Sequence, residues 1–131
     1  METISPFFVE MPNLEPWPDP VDGAGLLDAL TDVLRRFAVL PQWAPEALAL
    51  FGLHTYAFSL RDFSTYVGIE SPEKRCGKTT LLGILGKLVH RPVMAANISS
   101  PAFFRVIQEM QPTLLIDEAD TKFFLGSRLD Y

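Results

Sequence analysis

The chain has 131 residues, 48% of them hydrophobic and 21% charged, a composition that fits one folded domain and excludes a disordered or fibrous chain. Its net charge of −5 and its 11 scattered Lys and Arg give no overall attraction to a phosphate backbone. A single cysteine, Cys76, excludes an internal disulfide, and no apolar run reaches the roughly 20 residues of a bilayer span. The first residues lack the charged-then-apolar pattern of a secretion signal, so a cytoplasmic protein without a membrane segment is expected.

Residues 1–20 hold Pro6, Pro12, Pro16, Pro18 and Pro20, which remove backbone donors too often for helix or central strand. An extended, Pro-rich arm is expected there, with Phe7, Phe8, Val9 and Trp17 available to pack on something; a loose tail is the alternative. Residues 21–60 form an expected helical region. Leu26, Leu27, Leu30, Val33, Leu34 and Phe37 recur at helical spacing, with Asp28, Asp32, Arg35 and Arg36 opposite them. Beyond Pro41, residues 43–58 are rich in Ala and Leu and read as a second, more buried helix paired with the first.

Residues 61–131 alternate differently: strand 63–69, helix 79–89, strand 93–96, helix 101–110, strand 113–116. This order predicts a parallel sheet covered by helices. Ser100 before Pro101 reads as an N-cap followed by proline at the first helical position.

Between the first of these strands and its helix lies Ser71-Pro72-Glu73-Lys74-Arg75-Cys76-Gly77-Lys78-Thr79-Thr80, the placement a phosphate-binding loop requires. Backbone N–H groups of Arg75, Cys76, Gly77, Lys78, Thr79 and Thr80 are candidates to cradle phosphates at a helix N-terminus. Lys78 is the candidate catalytic cation on the β- and γ-phosphates, and the Thr79 hydroxyl a candidate Mg²⁺ ligand. Gly77 lets the backbone approach phosphate closely. The pattern G-x-x-x-x-G-K-[ST] is incomplete, because Pro72 stands where its first glycine belongs. Cys76 is read as a small filler side chain rather than a redox group.

Thr113, Leu114, Leu115 and Ile116 lead into Asp117 and Glu118, an apolar strand ending in adjacent carboxylates. A buried parallel strand would deliver them to the sheet edge where the phosphate loop opens. Asp117 is the candidate metal residue and Glu118 the candidate catalytic base that polarises a water; a solvated turn is the plainer reading of each. Asp117-Glu118-Ala119-Asp120 spells the helicase box, but too few residues separate it from Lys78, so the spelling is taken as coincidence and the spacing as that of additional-strand ATPases.

Together with Pro16-Trp17-Pro18-Asp19-Pro20-Val21-Asp22-Gly23 and His54-Thr55-Tyr56-Ala57, these motifs make residues 15–121 resemble a bacterial family of P-loop ATPases of unknown function. Its members are often phage- or plasmid-associated and joined to primase- or helicase-like modules. The family shares the Pro72 departure. The resemblance implies an additional-strand P-loop core, ATP and Mg²⁺ as ligands, ATP hydrolysis in DNA replication or mobilisation, and DNA or further copies of the chain as partners. Family members continue past Asp120 with more strands and helices, so an incomplete core is expected, and Arg128 is not assigned as an arginine finger. His54 is read as a packed helix histidine and Asn97 as a turn-former. A non-hydrolysing nucleotide-binding or interaction module stays open as the alternative; a small-molecule kinase would need a lid that the sequence does not display.

Overall fold

The computed structural model describes residues 14–70, 77–95 and 101–117. Four helices and two strands follow one another: α1 (Gly23–Phe37), α2 (Ala44–Tyr56), a 3₁₀ turn (Phe58–Leu60), α3 (Lys78–Leu88), β1 (Pro92–Ala95), α4 (Pro101–Met110) and β2 (Thr113–Ile116).

Asp22 starts α1 by accepting from the backbone N–H groups of Ala24 and Gly25, at 3.3 and 3.1 Å, which satisfies two donors that the first turn leaves orphaned. Arg35 and Arg36 occupy its last turn, where the helix dipole favours cations. The apolar stripe converges on Leu34, which is completely buried, while Asp28, Asp32, Arg35 and Arg36 face outward. α2 carries proline in its first turn, which costs no hydrogen bond there, and buries Leu48, Ala49, Gly52 and Thr55. An Arg35–Glu46 ion pair joins the two helices. The expected helical pair is present, although α2 stops at Tyr56, where Ala57 turns back onto the His54 carbonyl and the chain tightens into the 3₁₀ turn.

β1 and β2 pair in parallel, Pro92 opposite Thr113 and Ala95 opposite Ile116, with α4 as the crossover. The fold is thus mixed α/β, four helices with a two-stranded parallel sheet among the described residues. Leu81, Leu82, Leu85 and Val89 of α3 and its end join Leu34, Leu48, Ala49 and Leu115 in one core. α3 approaches β2 closely at Gly86, where an added Cβ would stand 3.4 Å from Leu115 Cδ1.

Residues 63–69 differ from expectation. They carry no regular structure, and Phe63 and Tyr66 are 88% and 89% exposed. Alternating apolar residues make a segment compatible with a sheet, but a strand exists only where a neighbour takes its backbone hydrogen bonds. Here only Ile69, at the far end of the segment, packs against the core. The reading of Ser100 as a cap lies outside the described residues, as do residues 1–13 of the arm.

Candidate functional site

α3 is a helix whose two ends do different work. Its apolar residues Leu81, Leu82 and Leu85 are buried, whereas Lys78, Thr79 and Thr80 in the first turn are exposed. Anchoring by the later turns therefore holds the first turn in position while leaving it open to a ligand. Gly77 is the N-cap, with φ 82° and ψ 13°, in the left-handed region that glycine enters without a steric cost. Its carbonyl accepts from Leu81 N–H at 2.9 Å and closes the first turn. Gly77 has no side chain with which to cap this end, and among the described residues no side chain takes the first backbone N–H groups of α3.

The end of β2 arrives at the same place. Asp117 N–H donates to the Ala95 carbonyl at 3.1 Å, which carries the parallel ladder one residue past the strand and fixes the backbone that bears the carboxylate. The Thr79 hydroxyl lies 3.5 Å from Asp117 Oδ2, with Thr79 as donor, at the outer limit of a hydrogen bond. Residues 38 positions apart in sequence thus bring a hydroxyl and a carboxylate together beside the N-terminus of α3 and its first lysine.

No protein-family model, curated protein or solved structure matches the chain.

Two hard oxygen donors at this separation are the type of ligand Mg²⁺ takes, and Mg²⁺ completes its shell with water and substrate phosphate rather than with an all-protein cage. Among the described residues no group of three His, Cys, Asp or Glu side chains gathers as a self-contained metal site. Thr79 and Asp117 fit a magnesium that arrives with an anionic ligand. Of the sequence-derived site residues, Gly77, Lys78, Thr79, Thr80 and Asp117 meet at this locus; Arg75, Cys76 and Glu118, with Pro72, Asn97 and Arg128, lie outside the described residues.

His54 is half-buried on α2, and its Nε2 lies 3.3 Å from Ser64 Oγ. Tyr56 meets His90 with ring centroids 5.0 Å apart. His90 follows the C-terminal end of α3, so this junction stands about 16 Å, one helix length, from Gly77. Two threonines that sequence reasoning passed over hold the junction. Thr55 Oγ1 accepts from His90 N–H at 2.9 Å, and Thr113 Oγ1 donates to the His90 carbonyl at 2.6 Å. Thr113 N–H donates to the Arg91 carbonyl at 2.9 Å, and Arg91 Nη1 to the Met110 carbonyl at 2.9 Å. These bonds set where β2 begins, and hence where Asp117 ends.

Proposed function

We propose that the chain binds ATP with Mg²⁺ at the N-terminal end of α3 and hydrolyses it, as an ATPase of a DNA-replication or mobile-element system. The observation that carries this reading is the approach of the Thr79 hydroxyl to the Asp117 carboxylate at 3.5 Å, beside Gly77 and Lys78. In it, backbone N–H groups from Arg75 to Thr80 face the phosphates, and Lys78 meets the β- and γ-phosphates as a charge on a flexible stem. Thr79 and Asp117 would hold the metal, which supplies neutralisation of phosphate charge when bound. Glu118, next in the chain, orients and polarises the attacking water, so that the neighbouring carboxylates have separate tasks.

A second reading, nucleotide binding without hydrolysis, is favoured by one observation. Residues 63–69, expected as the strand that leads into the phosphate loop, form no strand, and a hydrolytic site needs rigid support to hold a reacting water.

Steady-state ATP turnover by the wild type and by Lys78→Ala, each with and without Mg²⁺, tests the proposal. Magnesium-dependent turnover that falls by about 100-fold or more in Lys78→Ala is expected. Turnover that survives the substitution would sink the assignment. ATP binding without turnover would select the second reading.

A further inference from the structure

α3 and β2 are tied to each other at both ends. At one end Thr79, in the first turn of α3, and Asp117, just past β2, bring a hydroxyl to 3.5 Å from a carboxylate oxygen. At the other end the hydroxyl of Thr113, the first residue of β2, donates at 2.6 Å to the carbonyl of His90, just past α3. Midway, Leu115 of β2 comes close to Gly86 of α3 and is buried with Leu81, Leu82 and Leu85.

The tie at Thr113 answers a weakness in how the two strands begin. Pro92 and Pro112 have no backbone N–H, so each strand is entered where a donor is missing. The residues before them, Arg91 and Gln111, both have φ 46°, in the left-handed region that side-chain-bearing residues avoid. Such a conformation persists only where its surroundings over-determine it. Around Arg91, Thr113 N–H donates to its carbonyl at 2.9 Å and its own Nη1 donates to the Met110 carbonyl at 2.9 Å; Gln111 N–H donates to the Ile107 carbonyl at 3.0 Å. The Thr113 hydroxyl adds a bond one residue nearer α3. Its acceptor is a firm anchor, because His90 N–H is itself held at 2.9 Å by Thr55 Oγ1 of α2.

β2 has four residues and pairs with β1 alone among the described residues, so whatever fixes its start also fixes its exit, about 13 Å further on. A ligand pair works only when its members are held within about 0.5 Å of the productive geometry.

We propose that Thr113 is a positioning residue for the Thr79–Asp117 pair: its bond to His90 sets how β2 lies along α3, and so how the Asp117 carboxylate stands to the Thr79 hydroxyl. Thr113 touches neither nucleotide nor metal. That the pair binds Mg²⁺ rests on the reading given under Proposed function; that Thr113 places the pair does not.

Two substitutions separate the hydroxyl from the shape that carries it. Thr113→Val keeps the β-branched form and the backbone bonds of β2, whereas Thr113→Ser keeps the hydroxyl. In ¹H–¹⁵N spectra of the nucleotide-free chain, the valine variant is expected to move the amide signals of both Asp117 and Thr79, and the serine variant to leave them at their wild-type positions. Thr79 lies on another element, so a disturbance confined to the surroundings of Thr113 does not reach it. In calorimetric titration the valine variant is expected to bind ATP without magnesium as the wild type does, and to lose about fivefold or more of the affinity that Mg²⁺ adds, with the serine variant close to wild type. Unmoved Thr79 and Asp117 signals in the valine variant, or a magnesium gain equal to that of the wild type, would overturn the proposal. So would a serine variant that behaves like the valine one, since the hydroxyl would then not be the cause. A wild type with no magnesium gain would remove the metal site instead, and the nucleotide-free signals, which need no ligand, identify that case by still separating valine from serine.

Discussion

The Thr55 hydroxyl donates to the Gly52 carbonyl at 2.6 Å and accepts from His90 N–H at 2.9 Å, so one buried side chain ties α2 to the end of α3. Thr55→Val keeps the shape but removes both bonds and leaves the His90 N–H without its partner. A loss of about 1–3 kcal/mol is expected, seen as a lower urea midpoint with an unchanged slope. An unchanged midpoint would mean that water replaces the hydroxyl. Such a residue is not legible in the sequence, because its partner lies 35 positions away and threonine within an Ala- and Leu-rich helix has no local signature. Gly77 is the opposite case. The motif names it, and its φ of 82° gives the reason, since any side chain there is strained.

At the level of elements, the helices were readable because their physics is local. The apolar stripe of α1, the proline in the first turn of α2 and the run Pro101–Met110 each state their own periodicity or stop signal. Residues 63–69 were misread because pairing is not local: alternation says that a segment suits a sheet, and only the fold says whether a neighbour exists. Trp43 in the left-handed region was likewise invisible, as no local rule puts a bulky residue there. The contact of α3 with β2 has its own test. Gly86→Ala places a methyl at 3.4 Å from Leu115 Cδ1, an ordinary contact, and gains about 1 kcal/mol of helix propensity, so stability should hold or rise. Gly86→Val drives further methyl groups into Leu115 and should cost about 1–3 kcal/mol. Equal thermal midpoints for the two variants would contradict that close approach.

In the whole molecule, the core formed by α1, α2, α3 and β2 fixes one geometric result, the convergence of the α3 N-terminus and the end of β2. The sequence analysis expected that convergence from two parallel strands ending at one sheet edge, whereas residues 63–69 form no strand and it is the packing of α3 in the core beside β2 that brings Thr79 to Asp117. The distance between Thr79 and Asp117 depends on where Thr113 and His90 start β2, which no motif specifies. No helix among the described residues is long and apolar enough to cross a membrane. The most direct test of the central claim is calorimetric titration of ATP, with and without Mg²⁺, into the wild type and Asp117→Ala. Wild-type binding that tightens by about tenfold or more with Mg²⁺, and loses that gain in Asp117→Ala, is the result expected. No heat at millimolar ATP, or the same magnesium gain in both proteins, would contradict it.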